Sequence, residues 1–352
     1  MNVLELKNNI KQAVINMFKI NMGLKPGEKV LVVTDYPEKD HWSTYDVSLL
    51  EDIVNRSLLA RVVYDIAYEE FKDNEVKFLT YPLTGRHGAE PPSCVGDEMA
   101  KYNVVIAITS FSLSHTNARE KATQAGTRIA SMPGFTADMF LPEGPMSVDY
   151  TWVSSFSKKI AEYLKGAKHI RIITESGTDI EFSVEGREWG IDDGIYDKPG
   201  AWGNLPAGEV YIAPVEGTAY GRIVVEKGWY PRLEEDMVLH VRDGLVVEVE
   251  GGGNIGDYFR EVLGLKPRID DELHRARRNI AEFGIGTNPK AKRPDNVLEA
   301  EKIFGTIHIA IGDNIHLGGR VEADLHEDFI IPKPTVYVDG KLFMDKGKHV
   351  IT

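Results

Sequence analysis

Apolar residues recur at helical spacing from the start of the chain, with Leu6, Ile10, Val14, Met17 and Phe18 on one face, and the pattern stops at Gly23. The run Lys29-Val30-Leu31-Val32-Val33-Thr34 then reads as a short strand. A helix through Val47–Leu59 follows, then a β-branched strand over Arg61–Tyr64, the turn-rich stretch Pro82–Pro92, a helix near Gly96–Tyr102 and a strand Val104–Thr109. Continuous apolar strands of this kind suit a parallel sheet covered on both faces. The alternation predicts a Rossmann-like parallel-sheet α/β domain over residues 1–150. Ser110–His115 comes just after a strand, where open α/β sheets place ligands, and is read at most as a wall on the substrate side.

Beyond residue 150 the pattern changes. A helix over Val153–Gly166 leads to two strands, 170–174 and 180–184, joined across Ser176-Gly177-Thr178-Asp179 as a hairpin. Further hairpin-like runs are Val210–Ala213, Arg222–Val225, Val238–Val241 and Leu245–Val249. Residues 151–352 are therefore expected to form a mixed, largely antiparallel α+β domain. Gly251-Gly252-Gly253-Asn254-Ile255-Gly256 matches the dinucleotide pattern before a helix over Asp257–Leu263. No strand ending in an acid follows about 20 residues on, so a Gly-rich turn is the simpler reading.

Composition narrows the function. The net charge of −13 argues against nucleic acid as a partner, because phosphate backbones select basic faces. A single cysteine, Cys94, excludes a disulfide framework and a Cys-rich zinc site, and fits a reducing compartment. Polar residues interrupt the first 20 positions, and no run approaches the roughly 18 apolar residues of a membrane span. A cytoplasmic protein with no membrane partner is expected.

Two segments carry the candidate chemistry. In Thr306-Ile307-His308-Ile309-Ala310-Ile311-Gly312, three isoleucines face one side, while His308 lies between two small residues on the other. In Asp324-Leu325-His326-Glu327-Asp328, alternation puts Asp324, His326 and Asp328 on one face. Two nearby strands that each offer a histidine, with a carboxylate at i+2, are suited to a hard or borderline cation. Further carboxylates in turn-flanked contexts are Glu209, Glu282 and Glu301, with Glu282 breaking an apolar turn after a polar helix over Asp271–Asn279. Spacing alone does not bring these three together.

The chain resembles the M29 metallo-aminopeptidases, the aminopeptidase T/aminopeptidase S group. The resemblance rests on Asn204-Leu205-Pro206-Ala207-Gly208-Glu209-Val210-Tyr211-Ile212-Ala213-Pro214, on the Glu282 segment, on His308-Ile309-Ala310-Ile311-Gly312 and on His326-Glu327-Asp328. It implies two divalent cations (Zn, Co or Mn) held by Glu209, Glu282, His308, His326 and Asp328, with Glu282 bridging and Glu301 as a sixth ligand. A peptide with a free N-terminus would be the substrate, and a homodimer the assembly. One departure is Ile315, which stands where the family carries a tyrosine seven residues after the first histidine. His316 comes next; either it or a tyrosine from elsewhere takes over, or the peptidase chemistry is altered, and the candidate general bases are a metal-edge carboxylate and His316. Related sequences resemble 2,5-dihydroxypyridine 5,6-dioxygenase, a mononuclear Fe(II) enzyme of the same layout. In that enzyme a histidine stands at the place of Glu282, and the counterparts of Glu209 and His308 are not retained. Their presence here sets the expectation at a two-metal aminopeptidase, a hydrolase, ahead of the dioxygenase. A binding protein that keeps its metals without catalysis is a third reading.

Overall fold

The apolar runs of the first part form strands buried on both faces. In a computed structural model, which describes residues 2–350, two units are distinguished: Met1–Ser154 with Gly194–Ala207, and Ser155–Asp193 with Gly208–Thr352. The first holds β1 (Lys29–Tyr36), β2 (Glu75–Pro82), β3 (Val104–Thr109), β4 (Arg128–Pro133) and β8 (Trp202–Asn204). They pair in parallel in the order β2-β1-β3-β4-β8, so the winding direction reverses between β1 and β3. The segment 194–207 rejoins this unit and supplies its last strand.

The expected strand Arg61–Tyr64 is instead helix. A single helix runs Val47–Glu70, because Leu59, Val62, Val63, Ile66 and Ala67 keep the helical spacing and are all buried. Burial of that stripe outweighs the weak preference of valine for strands. The strand lies further on, as β2. After β3, the amides of Ser110 (2.7 and 2.9 Å) and Phe111 (3.2 Å) donate to the carboxylate of Asp35 at the end of β1. The Arg56 guanidinium donates to the Ser110 hydroxyl at 2.8 Å. The 110–115 loop is thus pinned within its own unit at the point where the winding reverses.

In the second unit, the described strands form two sheets. One has the order β12-β11-β10-β6-β5-β16-β17-β18. Its strands are β5 (His169–Ile173), β6 (Asp179–Ser183), β10 (Tyr220–Val225), β11 (Met237–Arg242), β12 (Leu245–Gly251), β16 (Thr335–Val338), β17 (Lys341–Asp345) and β18 (Lys348–His349). The other has the order β15-β14-β13-β9-β7, from β7 (Gly190–Asp192), β9 (Glu209–Ile212), β13 (Ile280–Gly286), β14 (Ile307–Gly312) and β15 (His326–Ile331). Neighbouring described strands in both sheets pair antiparallel. The hairpins β5/β6 and β11/β12 match the sequence reading, whereas β9 and β10 go to different sheets. The expected turn around Glu282 is strand β13.

Both sheets turn an apolar face to one core. Phe283, Ile285, Ile307, Ile309, Ile311, Val210, Ile212 and Phe329 from one sheet share it with Ile170, Ile172, Phe182, Ile223 and Leu239 from the other. After the glycine-rich turn, the helix Gly253–Val262 receives the Glu235 carboxylate on its first amide, at 2.7 Å. β12 is an antiparallel edge strand, so the turn lacks the parallel unit of a dinucleotide site. Among the described residues, no helix is long and apolar enough to cross a membrane.

Gly284 lies opposite His308 in the β13/β14 register, and a Cβ there would overlap the imidazole ring. Gly284→Ala is expected to lower stability by about 1–3 kcal/mol, the usual cost of overpacking. Urea unfolding measures this, and an unchanged midpoint would mean that the ring has room to move aside.

Candidate metal centre

The alternation that buries the isoleucines leaves a polar set on the opposite face of the β15-β14-β13-β9-β7 sheet. Directly paired residues point to the same side. One row is Asp328, Ala310 and Glu282; the next holds His308, Gly284, Tyr211 and Gly190; a third holds Gly286, Glu209 and Asp192. Small residues separate the functional ones, which gives the long side chains space to converge. Gly284 in particular lets the His308 ring lie flat across β13.

A β-bulge sets the phase of Glu282. Ile280 pairs with Ile311 and Glu282 with Ala310, so Ala281 is the extra residue. In an unbroken ladder Glu282 would oppose Ile309 and point into the core. The bulge moves it to the face of His308.

Glu282 then has one carboxylate oxygen near each histidine: Oε1 is 3.4 Å from His308 Nε2, and Oε2 is 3.2 Å from His326 Nε2. His326 Nε2 also approaches Asp328 Oδ2 at 3.7 Å, and His308 Nε2 approaches Glu209 Oε2 at 3.5 Å. His326 Nδ1 lies 2.7 Å from the Asp313 carbonyl, which only accepts, so Nδ1 carries the hydrogen and Nε2 is turned to the carboxylates. A carbonyl behind a histidine is the usual outer support of a metal-ligating imidazole.

Three acidic side chains, Glu209, Glu282 and Asp328, converge on the two imidazoles. Burial alone would lower the His308 imidazole, but the Glu282 hydrogen bond and the charges of Asp328, Glu282 and Glu209 lift it to about 9. His326 is likewise raised well above its ordinary value, against burial, by Asp328 and Glu282. Glu209 Oε2 and Asp328 Oδ1 are buried without a hydrogen-bond partner. Orphaned acceptors beside inward-turned imidazoles fit a divalent cation. Among the described residues two groups can hold one, Glu209 with Glu282 and His308, and Glu282 with His326 and Asp328.

Five of the expected ligands, Glu209, Glu282, His308, His326 and Asp328, therefore meet on one sheet face. Glu301 lies outside both groups and accepts from Lys302 Nζ at 2.7 Å. His316 is also outside them, exposed on the 3-10 turn Ile315–Leu317. Asp324 precedes β15 and forms a bidentate pair with Arg277 at 2.7 Å, instead of joining His326. Sequence reasoning missed Lys302, Asp192 and the Asp313 carbonyl. The single signal for Lys302 is its place next to Glu301, six residues before His308; nothing local marks that lysine as buried.

A family model described as NicX, 2,5-dihydroxypyridine 5,6-dioxygenase, matches residues 12–351. A 2,5-dihydroxypyridine 5,6-dioxygenase of Pseudomonas putida KT2440 is 23% identical over 262 residues, covering 70% of this chain and 71% of that protein. The solved structure of the 2,5-dihydroxypyridine dioxygenase from Pseudomonas putida KT2440 is similar with a TM-score of 0.71 at 16% identity, covering 100% of this chain and 99% of that one. Wild-type AmpT from Thermus thermophilus is similar with a TM-score of 0.61 at 16% identity, covering 98% and 100%. The aminopeptidase resemblance thus holds for the fold. The expected activity does not hold: the full-length family match overturns the aminopeptidase, hydrolase and protease reading in favour of an oxygenase. Retention of Glu209, Glu282 and His308 was an unsafe guide, because ligand-competent side chains on a shared sheet do not fix the reaction. Matched along nearly its whole length, the chain belongs to the 2,5-dihydroxypyridine 5,6-dioxygenase family.

Proposed function

We propose that this protein is a metal-dependent ring-cleaving dioxygenase that adds both atoms of O2 across a carbon–carbon bond of a hydroxylated pyridine, with Fe(II) as the metal. The family match over residues 12–351 carries the reading. The residues that would hold the ion are Glu282, His326 and Asp328, with His308 across from them. When bound, a divalent iron supplies the redox and Lewis-acid chemistry that amino-acid side chains lack.

The chain's own groups do the positioning. The Asp313 carbonyl fixes the His326 tautomer, and Ala310 and Gly284 leave room on the face for the Glu282 and His308 side chains. His308 Nε2 faces Glu282 and Glu209 and would turn to the ion once its proton is displaced. Burial of the carboxylates strengthens every charge interaction on this face. A second reading, a pair of ions bridged by Glu282, draws on one observation: its two oxygens face different histidines.

Protein reconstituted anaerobically with Fe(II) is expected to consume O2 when mixed with 2,5-dihydroxypyridine. His326→Ala and Asp328→Ala should each lower the rate by more than ~100-fold, since even outer partners of a ligand are worth about 10–100-fold. Absence of O2 uptake by iron-loaded protein with any dihydroxypyridine would sink the proposal.

Metal binding should also release protons. With His308 raised to about 9 and His326 raised as well, both imidazoles hold protons at neutral pH until an ion displaces them. Apparent affinity for the ion should therefore rise with pH through the neutral range. Titration calorimetry in buffers of differing ionisation enthalpy reads the release; a pH-independent affinity with no buffer dependence would contradict this charge state.

A further inference from the structure

Lys302 is a buried cation that the proposed chemistry leaves unused. Its side chain is 1% exposed, and Nζ donates to Glu209 Oε1 at 2.6 Å and Glu301 Oε2 at 2.7 Å, with Asp192 Oδ2 at 4.0 Å. Its backbone is equally fixed, since the amide donates to the Glu299 carbonyl at 3.0 Å and the carbonyl accepts from Asn288 at 2.9 Å. A lysine this buried is stable only when paired, and three acidic side chains surround it. Two of them, Glu209 and Glu301, are carboxylates that the aminopeptidase resemblance implied as ligands of a pair of dications.

The two potential ion groups are therefore not equivalent. Among the described residues, the group of Glu282, His326 and Asp328 has no ion pair to a lysine or arginine. The group of Glu209, Glu282 and His308 has the Lys302 ammonium on the other oxygen of its Glu209. A dication on Glu209 Oε2 would share one carboxylate with a fixed positive charge, in surroundings that screen it poorly. We propose that the Lys302 ammonium acts as a built-in cation in place of a second metal ion, confining the centre to one ion held by Glu282, His326 and Asp328 with His308.

This inference rests on the metal centre proposed above, and a count of bound ions tests it without substrate. Wild-type protein saturated with Mn²⁺ and desalted is expected to retain one ion per chain by elemental analysis. Lys302→Met, close in shape but uncharged, should retain two, with the broadened electron paramagnetic resonance of a coupled Mn²⁺ pair. Lys302→Arg keeps the charge and should return the count to one. Two ions in the wild type would overturn the proposal, as would one ion in folded Lys302→Met. Should that variant fail to fold, Lys302→Gln reads the same count with a side chain that can still hydrogen-bond Glu209. Failure of O2 uptake would remove the dioxygenase reading and leave the ion count, and hence the role of Lys302, to be decided separately.

Discussion

A single buried carboxylate holds the centre together. Glu282 lies on the middle strand of its sheet with an imidazole near each oxygen, His308 from β14 and His326 from β15. A carboxylate buried this deeply is tolerated only among positive or proton-donating partners. Removing one partner of such a pair costs about 3–5 kcal/mol, because a charge is left unmatched. The histidines, in turn, are held protonated by surrounding acids. Without an ion the cluster is a set of mutually dependent charges, and with one it becomes a ligand shell. Both states need the same sheet geometry, so stability and chemistry rest on the same contacts.

The strand pattern was the most legible part of the molecule. In β14 the alternation of three isoleucines with His308 and Ala310 gave both the core face and the site face, and the strand lies that way in the sheet. His326 and Asp328 were readable for the same reason, since a period of two leaves little freedom where one face is buried. β3 was legible because its run is apolar throughout and bounded by polar residues.

The failures have physical causes of their own. Arg61–Tyr64 is β-branched and looks like a strand, yet its valines fall on the buried stripe of a helix 24 residues long. Glu282 looked like a turn because glycines follow it; Gly284 is what the strand needs where the His308 ring lies across it, and Gly286 where the Ile303 backbone does. Lys302 was invisible because burial of a charge is a tertiary fact, set by the adjacent Glu301 together with Glu209 and Asp192 from distant positions. The reaction was misjudged for a related reason. The aminopeptidase resemblance grouped side chains of metal-binding type, but the fold is common to AmpT and to the pyridine dioxygenase. Fold and ligand type together leave the chemistry open.

The bulge at Ala281 gives strand length a meaning that composition does not carry. Each substitution on β13 changes one side chain, but losing or gaining one residue between Ile280 and Glu282 would exchange the two faces. The carboxylate would be driven among Ile309 and its neighbours, and an apolar residue would be turned toward the histidines. No graded series of intermediates connects these arrangements, because a pleat has two sides only. Natural variation at this point of the chain should therefore be quantised. Relatives can differ freely in which residue fills the bulge, and sparingly in whether it is there.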